Sequence, residues 1–306
     1  MKNQITLLFV ILSYIANSQN KPKVSSGSIQ RIEDFQSGYV TPRNIDIWLP
    51  ENYSQDKKYA TLYMHDGQML FDSACTWNHQ AWEVDEVLSK LLREHKIMDV
   101  IVVGVWNGEN TRHSDYYPQK PYESMSPDQK EFVIRQLQKA DSTLEPFQPN
   151  SDNYLKFLIT ELKPVIDKRY STHSDREHTF IAGSSMGGLI SMYAICEYPM
   201  VFGGAACLST HWPGVFAVEG NPAPDSFLNY MYRHLPDPET HKIYFDYGDQ
   251  TLDAVYPPLQ KKVDEVMKNK GFTSKNWETL SFPGKDHSEK SWNERLKIPM
   301  EFLLKN

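Results

Sequence analysis

The sequence predicts an α/β fold, a mostly parallel central sheet with helices on both faces and a long insertion over about residues 107–152. Three observations carry this. β-prone runs alternate with segments whose apolar residues recur at helical spacing through most of the 306 residues. One run, Val100-Ile101-Val102-Val103-Gly104-Val105-Trp106, is almost continuously apolar, as a strand buried on both faces must be. The stretch Gly183-Ser184-Ser185-Met186-Gly187-Gly188 joins a β-prone run to a helical one, so a sharp strand–turn–helix is expected there.

Residues 1–18 read as an export leader. Met1-Lys2-Asn3-Gln4 is a short basic segment, Ile5 to Ala16 is apolar but too short to span a bilayer, and Ala16-Asn17-Ser18 fits a small-x-small cleavage pattern. No cysteine lies near that point, which argues against lipid attachment. The expected mature chain is a single domain, 19–306, that is periplasmic or secreted. The full sequence's hydrophobic content of 40% and charged content of 23% fit a soluble domain. Net charge is −7 before Lys2 is lost, and no basic cluster offsets it. Nucleic acid and, once the leader is removed, membrane are therefore not expected partners.

The elements follow in order. Ile29 to Phe35 and Arg43 to Leu49 are β-prone and lack an intervening helix, so this edge is expected to be antiparallel. Tyr59 to Met64 is a strand ending in His65-Asp66-Gly67-Gln68. Trp82 to His95 is helical, and Val100 to Trp106 is the buried strand. Asn107 to Asp152 is polar and proline-rich, with one helical piece near Gln129 to Ala140, and reads as a lid or a substrate-shaping segment. Helix Tyr154–Tyr170, strand Thr179–Ala182, helix Leu189–Glu197 and strand Phe202–Leu208 come next. A short helix near Phe227–His234 precedes strand Ile243–Tyr247 and helix Leu259–Lys270, closed by Gly271. Strand Trp277–Phe282 and helix Trp292–Leu304 complete the chain.

Chemistry centres on Ser185. Small residues two before and two after it let strand and helix cross closely, and the backbone N–H of Met186, at the helix start, points where an oxyanion would form. Ser185 is thus a candidate nucleophile for acyl transfer. A general base and an acid are then expected after it, in loops at the ends of later strands. His287, in Phe282-Pro283-Gly284-Lys285-Asp286-His287-Ser288, occupies the expected place for the base. The acid is sought in Asp246-Tyr247-Gly248-Asp249-Gln250-Thr251-Leu252-Asp253. Asp246 lies within the strand and reads as structural, while Asp253 is preferred and Asp249 is the alternative. Leu252 is expected to anchor that loop in the core. Gln68 is the natural second oxyanion donor, because Gly67 permits close backbone approach. His211 follows a strand end and is assigned to substrate contact. Trp82 and Trp212, among many aromatics, suit a cleft for a sugar or aryl ester, although aromatics are also ordinary core material. Cys196 and Cys207 read as buried core. No metal-ligand spacing is present, and no metal or cofactor is expected.

His65-Asp66-Gly67-Gln68, the serine motif, the acid loop from Gly248 to Asp253, and Gly284 with His287 and Trp292 together resemble the putative-esterase family of α/β-hydrolases. That family includes enterochelin esterases, feruloyl and acetyl-xylan esterase domains, S-formylglutathione hydrolases and mycolyltransferases. The resemblance covers roughly residues 30 to 305. It implies Ser185 as nucleophile, His287 as base and Gln68 as oxyanion donor, and it favours Asp253, which lies at the family's usual remove from the following helix. The expected activity is that of a secreted serine ester hydrolase on carbohydrate-linked feruloyl or acetyl esters. The alternatives are a siderophore esterase, an acyltransferase to a sugar, and a catalytically dead carbohydrate-binding protein.

Overall fold

The computed structural model describes residues 21–140 and 147–305. The expected leader, 1–18, and residues 141–146 of the insertion lie outside the described residues. Eight strands form one sheet in the order β1-β2-β4-β3-β5-β6-β7-β8. They are β1 Ser28–Phe35, β2 Arg43–Leu49, β3 Ala60–His65, β4 Val100–Val105, β5 Thr179–Ser184, β6 Gly204–Leu208, β7 Lys242–Tyr247 and β8 Trp277–Ser281. β1 and β2 pair antiparallel, β2 joins β4 antiparallel, and every later pairing is parallel. The helix-free edge expected at the N-terminus is present.

Alternate residues of the strands feed two separate cores. Ile181, Cys207 and Phe245 point to one face, under the insertion and the helices Met186–Glu197, Ala223–His234 and Pro257–Asn269. Ala182, Leu208 and Tyr244 point to the other, under helix Val84–Arg93 and the C-terminal helices. A side-chain period of two on strands buried on both sides demands this arrangement. Helix Met186–Glu197 is buried along its whole length but for Glu197, which explains its apolar sequence on all sides. Cys196 and Cys207 are buried within the first core.

Some elements depart from expectation for identifiable reasons. The helix expected over Tyr154–Tyr170 runs as Ser151–Lys156, a π-turn Phe157–Leu162, and Lys163–Arg169. Pro164 offers no N–H to the carbonyl four residues back, and the ladder widens just before it. The last helix is two, Glu289–Arg295 and Lys297–Leu304. Pro299 falls in the first turn of the second, where its missing N–H costs nothing. The insertion holds helices Arg112–Tyr116 and Gln119–Glu123 besides the expected one, Pro127–Ala140. Gly271 has φ +86°, as a helix-terminating glycine should.

Candidate active site

The carboxyl ends of β3, β5, β6, β7 and β8 gather the candidate residues. Ser185 follows β5 with φ 57° and ψ −121°, a strained conformation for a residue with a side chain. A side-chain carbon on Gly183 would meet the Gly187 backbone at 2.8 Å, so glycine is needed where strand and helix cross. The turn is pinned: the Ser185 N–H donates to Leu208 O at 2.9 Å, and the His211 N–H donates to Ser185 O at 3.1 Å. Met186 opens the helix, so its N–H lacks an intrahelical acceptor. Ser184, by contrast, is buried.

β3 ends in a turn whose Asp66 has φ 55°. Gly67 packs on β4 so closely that a side-chain carbon would meet the Gly104 carbonyl at 2.6 Å or less. Gln68 follows. The insertion clamps this turn. Arg112 grips Asp66 through Nε at 2.7 Å and Nη2 at 2.8 Å, Asn107 Nδ2 donates to Asp66 at 2.6 Å, and the Asn107 N–H donates to Gln68 Oε1 at 3.3 Å. Burial pushes the Asp66 carboxyl up, but Arg112 and Asn107 outweigh it and hold it below its ordinary range. His65, buried beneath, is pushed down to about 3 by desolvation and stays neutral. The first part of the insertion therefore supports the proposed oxyanion turn.

The acid and base loops are bound edge to edge. The N–H groups of Asp249 and Gln250 both donate to Lys285 O at 3.0 Å, and the His287 N–H donates to Thr251 Oγ1 at 3.0 Å. Within this frame His287 Nδ1 lies 2.6 Å from Asp253 Oδ1. The other carboxylate oxygen of Asp253 accepts from Gly248 N–H and Ser209 Oγ, each at 2.6 Å. Burial raises the Asp253 carboxyl, but the hydrogen bonds from His287 and Ser209, the charge of His287 and the Gly248 N–H hold it below its ordinary value. Asp249 is exposed and accepts from the Gly284 N–H at 2.7 Å, so it ties the base loop's turn and does not meet His287. Leu252 is exposed and does not anchor its loop; the buried Asp253 does.

Three other expected substrate contacts are placed differently from one another. His211 is buried, with Nε2 on Val215 O at 3.0 Å and Nδ1 on the Tyr256 hydroxyl at 2.9 Å. A carbonyl only accepts, so Nε2 carries the proton and Tyr256 donates to Nδ1. Burial first, then His287 and His113, pushes the His211 imidazole down to about 3. The Tyr256 hydroxyl also meets the Ser185 side chain, and its ring lies 5.9 Å from that of His287. Tyr256 thus brings the serine, His211 and His287 together. Trp212 and Trp82 lie in the core instead of the cleft. Trp212 donates to Gln260 Oε1 at 2.8 Å and packs on Phe245; Trp82 packs on Trp292. Indoles of this size fill the space beneath the loops more readily than they line it.

Sequence reasoning missed Tyr256, Arg112, Asn107, Ser209 and Arg295. Arg295 carried a faint signal: it stands three residues after Trp292 on one helical face. Among the described residues, the three-membered group able to hold a metal is His173, Asp175 and His178, before β5 and at the sheet's opposite end.

A family model described as Putative esterase matches residues 39–299. Over 238 residues the chain is 23% identical to the uncharacterized protein YbbA of Bacillus subtilis (strain 168), covering 76% of this chain and 80% of that one. Over 294 residues it is 24% identical to the endo-1,4-beta-xylanase/feruloyl esterase of Xylanibacter ruminicola, covering 92% of this chain and 32% of that longer protein. Two solved structures are similar in fold. One, a ferulic acid esterase, has a TM-score of 0.65 at 17% identity and covers 91% of this chain and 98% of its own. The other, an IroE-like serine hydrolase from Shewanella oneidensis, has a TM-score of 0.63 at 17% identity and covers 90% of this chain and 79% of its own.

Proposed function

The chain belongs to the putative esterase family of carboxylic-ester hydrolases, and from that premise we propose that it is an exported serine esterase, one domain over 19–306, acting through Ser185, His287 and Asp253 on carbohydrate-linked feruloyl or acetyl esters. The observation that carries the proposal is the 2.6 Å hydrogen bond between His287 Nδ1 and the buried Asp253, beside a serine in strained backbone. With Nδ1 committed to the carboxylate, Nε2 is the nitrogen left to act as base.

Ser185 Oγ attacks the ester carbonyl carbon and its proton passes to His287 Nε2. The carbonyl oxygen becomes an oxyanion held by the N–H groups of Met186 and Gln68, each worth about 3–4 kcal/mol to such a transition state. Collapse of the tetrahedral species breaks the bond to the alcohol, which leaves with the proton from His287. Water then attacks the acyl-enzyme, losing its proton to His287, and the acid departs as Ser185 recovers its own. Asp253 stays ionised throughout and stabilises the imidazolium.

The substrate class is supported by two observations. Phe216 and Val218, in the loop after β6, and Leu252 and Val255, in the acid turn, expose apolar surface on the loops that carry the site. Such a rim suits an aryl or short acyl group. The relative that carries feruloyl esterase in its name also carries xylanase. The test is a panel of p-nitrophenyl acetate, butyrate and octanoate, methyl ferulate, acetylated xylan and a ferric-siderophore ester, with a fluorophosphonate probe run in parallel. Turnover of methyl ferulate or acetylated xylan and labelling of Ser185 are expected. Preference for the siderophore ester would overturn the substrate class, and an active enzyme labelled elsewhere would overturn the mechanism.

A further inference from the structure

A second layer of buried charge stands behind Asp253. Arg295 donates to Asp246 through Nε at 3.1 Å and Nη2 at 3.0 Å, and both side chains are almost wholly buried. The same Nη2 donates to Ser209 Oγ at 2.8 Å, and Trp292 Nε1 donates to that oxygen at 3.0 Å. Ser209 is fully buried. Guanidinium and indole can only donate, so both lone pairs of Oγ are taken and its single proton has one destination, Asp253 Oδ2 at 2.6 Å. Asp246 further accepts from Ser209 N–H at 3.2 Å and from the Tyr244 hydroxyl at 3.1 Å, which fixes it in place.

We propose that Ser209, polarised by the Arg295–Asp246 pair, is a positioning residue that holds Asp253 with one chosen oxygen toward His287. The inference rests on the assignment of Asp253 and His287 above. Its physical basis is occupancy. Oδ2 is saturated by Ser209 and the Gly248 N–H, so turning the carboxylate away from His287 would break two short hydrogen bonds in a dry site. A cation next to the hydroxyl strengthens it as a donor, and Asp246 keeps that cation compensated. The helix Glu289–Arg295, which directly follows the base loop, supplies both Arg295 and Trp292, so one rigid element aligns base and acid.

The sign of the expected pH effect follows from the groups around the pair. His287 faces Asp253 from its own loop, with Asp286 beside it. Tyr256 comes from the acid turn, His211 from the loop after β6, and Arg295 and Asp246 from behind Ser209. Removing the Ser209 hydroxyl takes a donor from Asp253 alone. The carboxylate then bears more unshared negative charge toward His287, which holds its proton more tightly. The acid limb of kcat/KM therefore moves to higher pH.

Ser209 has φ 41°, so glycine relieves its backbone while deleting the hydroxyl. Ser209→Gly is expected to lower kcat by about tenfold to a hundredfold with KM little changed, and to shift the acid limb upward. Arg295→Lys keeps the charge but not the fork, and should give a smaller loss with the same direction of shift. The measurements are kcat, KM and pH–rate profiles of both variants and of Ser209→Ala on the best ester of the panel, with thermal unfolding as the check on folding. Folded Ser209 variants within about twofold of the parent kcat, with an unmoved acid limb, would overturn the proposal. Ser185→Ala in the same assay separates the two readings: if it stays active, the assignment of the site is what fails. Should the Ser209 variants not fold, Arg295→Lys decides, since an unchanged rate and profile there overturns the proposal equally.

Discussion

Two carboxylate–imidazole pairs in this protein have the same length and very different settings. Asp253 Oδ1 lies 2.6 Å from His287 Nδ1, and Asp175 Oδ1 lies 2.6 Å from His178 Nδ1. The first is at the carboxyl end of the sheet. Its acid side chain is 0% exposed and its imidazole 15%, and the second carboxylate oxygen is saturated by protein donors. The second is before β5, with side chains 47% and 35% exposed and His173 stacked on His178 at 4.1 Å. A hydrogen bond of a given length therefore says little about chemistry. The two pairs differ in desolvation and in how fully the acid is satisfied, and charge developing on an imidazole is stabilised far more strongly where water does not screen it.

The largest effects are expected at the proposed catalytic pair. Ser185→Ala and His287→Ala should each cut kcat by about 10⁴ to 10⁶-fold, and the double variant should be no worse than either, because the two act as a unit. Additive losses in steady-state assays would mean that they do not.

A sharper cut separates the two acids of the loop. Asp253→Asn should lower kcat by about 10⁴-fold through the wrong imidazole tautomer. Asp249→Asn, which loosens only the Gly284 turn, should cost no more than about 1 kcal/mol of stability and little activity. The reverse ranking would transfer the role to Asp249. The smallest effect is expected at the other pair. Asp175→Asn and His178→Ala should leave kcat unchanged and alter thermal stability by less than about 1 kcal/mol, because solvent screens the pair. A large loss of activity there would show that exposure does not distinguish the two pairs.

Much of this was legible beforehand, unevenly. The parallel sheet was readable because strands buried on both faces leave a long apolar run, as in Val100–Val105. The serine turn was readable because Gly183 has a steric duty that a residue with a side chain cannot meet without a shift, and Gly187 sits close against His65. His287 and Asp253 were singled out through the order of loops along the chain, and the fold brings them 2.6 Å apart. Leu252 misled, since an apolar residue in a surface loop need not be the one that anchors it. Trp82 and Trp212 misled as well, because an aromatic side chain carries no mark of whether it lines a cleft or fills the space below.

The alternation of elements, the sharp serine turn and the loops in which a base and an acid would lie are written in local residue types and short spacings. That Asp253 and not Asp249 meets His287 emerged from the folded chain alone. So did the bracing of the Gln68 turn by Arg112 and Asn107 from a distant insertion, and the chain of hydrogen bonds from Arg295 through Ser209 to Asp253. These are contacts between side chains 34 to 86 positions apart. Their existence depends on strand order, loop closure and the exclusion of water, none of which leaves a periodic or compositional trace in the chain.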